Sequence, residues 1–175
     1  MKVWVVKCNL HPSDGSDGWH WVAYFEPEDS GWSPDEVQRN WGGDEWIRST
    51  RSHKYLREEA SRGDVVVCYQ KQRRQIMGLT LMAEDPTQDV SGAFNYIHLV
   101  PSAESFPLVD AEPRLDVPRL RAHGCDPKCF RHPSQGTVFA VEAEEYEGML
   151  STIRADHPDL RDALDEWLHG AAYKA

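Results

Sequence analysis

No run in the sequence approaches the roughly 18 consecutive apolar residues of a membrane-spanning helix, and mean hydropathy is −0.63, so a helical membrane span is excluded. The opening Val3-Trp4-Val5-Val6 carries no basic segment, apolar stretch and cleavage site of a secretory signal, which makes a cytoplasmic location the expectation. Cysteine is scarce. Four scattered thiols in 175 residues do not make the disulfide framework of a secreted domain. Positive charge is also short: 19 Lys and Arg against 29 Asp and Glu give a net charge of −10, which argues against indiscriminate polyanion binding. There is no internal repeat, no long linker and no phosphate-cradling glycine loop. GWSPDE and WGGDEW lack the lysine and the strand-to-helix setting such a loop requires. Cys8 and Cys68 lie in apolar runs and read as core thiols, and the Glu144-Glu145 pair reads as the acidic first turn of a helix. No catalytic motif is found, so a non-enzymatic protein without a cofactor is expected.

What is present fits one domain spanning residues 1–175, long enough to bury a substantial core. The charge is uneven. Residues 38–74 hold nine basic and five acidic side chains, a local +4, whereas the remainder holds ten against 24, or −14. A confined basic face on an acidic protein permits a limited nucleic-acid contact; the plain alternative is a solvated helix face with ordinary ion pairs.

Residues 46–70, WIRSTRSHKYLREEASRGDVVVCYQ, organise the chain. Ser52 can cap a helix over about residues 53–62, Gly63 can end it, and 65–69 is a β-branched run for a strand buried on both faces. Residues 75–84 pair with it as an antiparallel hairpin across the polar tip 71–74. Earlier, 2–8 is a buried strand, 9–18 a loop, 19–25 a second strand or extended segment, and 34–39 one helical turn. Later, 94–101 and 137–141 are strands. Residues 117–123 are a helix capped by Asp116, 144–154 a helix with Tyr146, Met149, Leu150 and Ile153 on one face, and a last helix, capped by Asp156, ends at Gly170.

Five of seven tryptophans lie between Trp19 and Trp46, and Trp32, Trp41 and Trp46 sit beside glycine or acidic loop residues. A loop tryptophan either covers the core or faces a ligand, and an indole face suits stacking on a base.

The order of these features resembles the PUA-like superfamily of small β-barrels and, within it, the EVE domain, a relative of the YTH domain. The features are a first strand at 3–8, the aromatic Trp46, a short helix after Ser52, Gly63-Asp64, a buried strand ending in Tyr69, Gly78 ahead of Glu84, and a late strand and helix at 132–153. The resemblance covers roughly residues 3–153. It implies an α+β fold: a PUA-like barrel of about five or six strands with peripheral helices and two C-terminal helices. It also implies nucleic-acid binding, with one flipped modified base, a modified cytosine, held in an aromatic pocket. By family position Trp46 is one wall, and Trp32 and Trp41 are further candidates. Asn9, Ser49 and Thr50 can serve the base edge or simply stabilise turns, and Tyr69 can line the pocket or simply pack. Arg48, Arg51, Lys54, Arg73 and Arg74 are the candidate phosphate contacts. The expected partner is DNA or RNA carrying a modified base, with a nuclease or modification enzyme as a possible companion. The chain departs from the YTH pattern in lacking longer N-terminal segments, and its 19–45 region is long for an EVE domain.

Two rival readings stand beside this one. The first is a PUA-like domain that binds RNA or a small ligand without preference for modified bases. The second is a metal-dependent hydrolase centred on HGCDPKCFRH, where His123, Cys125, Cys129 and His132 are residue types that suit tetrahedral zinc. The bland reading of that loop is buried thiols and surface histidines.

Overall fold

The structure is a computed structural model that describes residues 1–8, 21–26, 54–88, 95–131 and 138–174. Its centre is three strands in which every residue is buried: β1 (Val3–Cys8), β2 (Val65–Gln70) and β3 (Gln75–Leu81). Continuous apolar runs without alternation require cover on both faces, and they have it. β1 runs parallel to β2, with Val3 opposite Val65 and Cys8 opposite Gln70. β2 and β3 form the expected antiparallel hairpin, with a bulge between Cys68 and Tyr69. The short strand β6 (Phe106–Pro107) adds to β3, and β7 (Val138–Val141) adds antiparallel to β1, giving the order β6-β3-β2-β1-β7. A separate ribbon joins β4 (Thr87–Gln88) to β5 (Asn95–Tyr96). The sheet is open, with β6 and β7 as its edges, so closure into the expected barrel is not seen among the described residues. The fold class is α+β.

Alternation along the strands splits the core in two. Val3, Val5, Val65, Val67, Tyr69 and Leu79 face a layer built from α2 (Val117–Ala122), α3 (Ala143–Asp156) and α4 (Arg161–Lys174), which contribute Leu120, Met149, Leu150, Ile153 and Leu164. Trp4, Val6, Cys8, Val66, Cys68 and Met77 face Trp21, Tyr24, Met82 and Leu99 on the other side. α2 starts where expected, on Asp116, whose carboxylate accepts from Arg119 N at 2.8 Å. Asp64 ties β1 to the start of β2. Its carboxylate accepts from Lys2 N (2.6 Å), Trp4 Nε1 (2.9 Å) and Ser61 N (3.0 Å) while it is itself buried. The Gly63-Asp64 pair is therefore a structural clasp, with Gly63 at φ +80 supplying the turn.

Four expectations are corrected. Residues 19–25 were expected to be extended, but Trp21–Phe25 is a helix, α1; an i, i+3 spacing sets Trp21 against Tyr24 at 5.7 Å, and a short apolar run does not distinguish helix from strand. The 53–62 helix is a single π-helical turn, Tyr55–Glu59, seated by Tyr55 against the Trp4 ring at 5.5 Å. The strand at 94–101 reduces to β5 and an isolated pairing of Met82 with Leu99. Asp156 ends α3 instead of capping the last helix, because Arg119 (2.6 and 3.0 Å) and His123 (2.9 Å) claim its carboxylate. α4 begins at Arg161 and runs through Gly170. Among the described residues no helix is long and apolar enough to cross a membrane.

Candidate functional site

β1 and β2 are the only parallel pair among the described strands, and they end side by side at Cys8 and Gln70. The carboxyl ends of parallel strands are where α/β sheets commonly bind ligands, since the chain leaves there in loops. Three of the described buried polar side chains gather at this end: Lys7, Gln70 and Gln75, each no more than 1% exposed. The strand register makes them neighbours, because Lys7 lies opposite Tyr69 and Gln70 lies between Cys8 and Gln75.

Lys7 is buried on the helix-covered face. Its Nζ donates to the Cys129 carbonyl and lies 4.4 Å from the Phe139 ring centroid and 5.5 Å from that of Phe130. Burial pushes its ammonium down to about 8; the Cys129 sulfur opposes the drop and the Lys71 charge adds to it. Tyr69 packs beside it, with its ring 4.8 Å from Phe130, and burial pushes its phenol up to about 12. On the other face, Gln70 Oε1 accepts from Trp21 N at 2.9 Å, and its Nε2 donates to Gln72 Oε1 at 3.0 Å and to Cys8 O at 3.4 Å. Gln75 Nε2 donates to Leu108 O at 3.4 Å.

Two buried polar atoms at this end have no hydrogen-bond partner: the Tyr69 hydroxyl and Gln75 Oε1. An orphaned buried group costs about 1–3 kcal/mol, so each needs a reason to persist. Two more orphans, Tyr146 OH and His157 Nε2, lie in the helical layer. What sets the sheet end apart is the charge above it. The hairpin tip that follows Gln70 carries half-buried Lys71 and exposed Arg73 and Arg74. Arg74 is held in the left-handed region at φ 52, and its charge bears on the Tyr69 phenol. Burial lowers the Lys71 ammonium as well. The end of the sheet is thus a set of buried amide, phenol and ammonium groups beneath a basic turn.

Of the residues singled out in the sequence, the structure brings Tyr69, Arg73 and Arg74 together here. Lys54 is exposed and lies elsewhere, at the start of the turn whose Glu59 pairs with Lys2 near the amino end of β1. Asn9, Trp32, Trp41, Trp46, Arg48, Ser49, Thr50 and Arg51 lie outside the described residues, and so does His132. The metal reading gains nothing from the rest of its set. His123 faces Asp156, Cys125 Sγ donates to Glu145 O at 3.6 Å, and burial pushes the Cys129 thiol up to about 12. Among the described residues no group of three possible ligands is assembled. The sequence reading passed over Lys7, Gln70, Lys71 and Gln75. Their signal was a polar residue closing or opening an otherwise apolar strand, as in VWVVKC and VVVCYQ.

No family model and no curated protein matches the chain. Two solved structures are similar to it. One is the NMR structure of Rpa0253 from Rhodopseudomonas palustris, with 18% identity and a TM-score of 0.57 over 87% of this chain and 92% of that one. The other is the crystal structure of protein Atu2648 from Agrobacterium tumefaciens, with 15% identity and a TM-score of 0.55 over 87% and 93%. The class is therefore an α+β fold shared with two bacterial proteins along nearly their whole lengths. At such identities the likeness concerns the fold alone.

Proposed function

We propose that the chain is a nucleic-acid-binding module of the EVE type, its sheet forming the greater part of a PUA-like barrel, acting in the cytoplasm on DNA or RNA that carries a modified base. The base, a modified cytosine, is held flipped out of its strand, with Trp46 as one wall of the pocket. The observation that carries this reading is the end of the β1–β2 pair, where buried amides and a phenol lie under Lys71, Arg73 and Arg74. Hydrogen-bonding groups on a base edge and cations on flanking phosphates are what a flipped nucleotide requires. The segment that carries Asn9 leaves β1 directly from this end. A net charge of −10 confines the contact to a local basic face and favours recognition of one nucleotide over a long electrostatic track. A nuclease or modification enzyme that acts on the marked strand is the natural companion of such a module.

Tryptophan fluorescence tests this. Short oligonucleotides with one cytosine or adenine, plain, methylated or hydroxymethylated, are titrated into the wild type and Trp46→Ala. Tighter binding of one modified base is expected, with a loss of about 1–3 kcal/mol in the variant. Equal, salt-sensitive binding of every oligonucleotide, unchanged in Trp46→Ala, would leave a basic face without a base pocket.

A further inference from the structure

We infer that Gln75 and Tyr69 are the groups that meet the ligand's polar edge, and that Gln75 selects a base bearing an exocyclic amino group over its keto counterpart. This deepens the nucleic-acid reading above and rests on it. The Gln75 amide is held in one orientation. Its Nε2 donates to Leu108 O, and turning the amide over would set Oε1 against that carbonyl, acceptor against acceptor. Oε1 is therefore left as an acceptor with no donor, in a side chain only 1% exposed. Its neighbour Gln70 does not supply the donor, because its amide is engaged by Trp21 N, Cys8 O and Gln72 Oε1. One strand away, the Tyr69 hydroxyl is buried and equally unfilled, and it can donate or accept. The sheet end thus offers one fixed acceptor and one adaptable hydroxyl beneath cationic Arg74. A fixed acceptor takes an N–H. The amino group of cytosine provides one, whereas the carbonyl oxygen of thymine or uracil at the same position repels it.

Thymine and 5-methylcytosine have nearly the same shape and the same methyl group, so the pair isolates this contact. Wild type, Gln75→Met and Tyr69→Phe are titrated with single-stranded oligonucleotides that differ only in having 5-methylcytosine or thymine at one position, and each protein is melted without ligand. The wild type is expected to prefer 5-methylcytosine by about tenfold to a hundredfold. Gln75→Met is expected to erase the preference, and Tyr69→Phe to weaken binding while melting no lower than the wild type, since its hydroxyl holds nothing in the unliganded protein. A wild type that binds both oligonucleotides alike, or a preference that survives Gln75→Met, overturns this assignment and leaves the nucleic-acid reading standing. A Gln75→Met chain that does not fold, or a Tyr69→Phe chain that melts lower, makes these groups structural and also overturns it. Failure to bind either oligonucleotide removes the nucleic-acid reading and the assignment together.

Discussion

Lys7→Met is expected to stabilise the unliganded protein by about 2 kcal/mol at neutral pH and to weaken its binding of oligonucleotides. The side chain is buried against Phe139 and Phe130, and its ammonium falls from 10.5 to about 8. That drop corresponds to about 3 kcal/mol of differential interaction between protonation states, at roughly 1.36 kcal/mol per pH unit. The bond to the Cys129 carbonyl returns about 1 kcal/mol, which the variant gives up. Methionine has nearly the same length and no charge to desolvate. The pH dependence has a fixed sign. The folded-state value lies below the unfolded one, so between about pH 8 and 10.5 the unfolded chain binds more protons and stability rises with pH. Below about pH 8 both states are protonated and the full cost is present. Phenols and thiols whose values burial raises, such as Tyr69 and Cys129, act in the opposite sense at higher pH, so the difference between wild type and variant is the quantity to follow. Urea melts from pH 7 to 10.5 should show the advantage of Lys7→Met shrinking towards the alkaline end. A variant less stable than the wild type at pH 7 would mean that the ammonium is well solvated or paired. Unchanged affinity would remove Lys7 from the site. A buried charge that lowers stability and supports binding fits the trade commonly found at functional positions.

Gly78→Ala is expected to destabilise the protein by about 3–5 kcal/mol, the larger of the two effects. Gly78 has φ +156 and pairs with Cys68 and Pro107. A Cβ there would lie 2.4 Å from Phe25 Cζ and 2.5 Å from the Phe106 carbonyl oxygen. The ring can turn away, but the carbonyl is held: Leu108 N donates to Met77 O at 2.8 Å, locking the Phe106 segment against β3. Phe25→Ala combined with Gly78→Ala should therefore recover only part of the loss, because the backbone clash and the unfavourable φ remain. Chemical denaturation of the two single variants and the double variant measures this, and a Gly78→Ala cost below about 1 kcal/mol would contradict the close approach.

The strands and helices that carry a strong local pattern were legible in the sequence. Val65, Val66 and Val67 announced a strand covered on both sides, Asp116 announced a cap, and Tyr146, Met149, Leu150 and Ile153 announced one buried helical face. Trp21–Phe25 misled because five apolar residues fit either period, and what decides is the i, i+3 contact between Trp21 and Tyr24. Asp156 misled because an Asp before Pro158 looks like a cap until Arg119 and His123 arrive from distant sequence. The site was legible in part. Tyr69, Arg73 and Arg74 were singled out, and the structure sets them at one end of the sheet. Lys7 was read as the tail of a strand, where a lysine ordinarily reaches water. Phe130 and Phe139 close over it from far along the chain, and no local pattern announces that.

β1 lies between β2 and β7, so Val3 finds its partners at Val65 and Val141. Both pairings close long stretches of chain before any hydrogen bond rewards them, whereas the β2–β3 hairpin closes across four residues. The hairpin is thus expected to be present in the folding transition state and β1 to insert afterwards. Val67→Ala should then slow folding, and Val5→Ala should mainly speed unfolding. Because the ligand-facing end needs Lys7 and Cys8 beside Tyr69 and Gln70, it comes into existence only with that last insertion. A chain still folding has no binding end to offer.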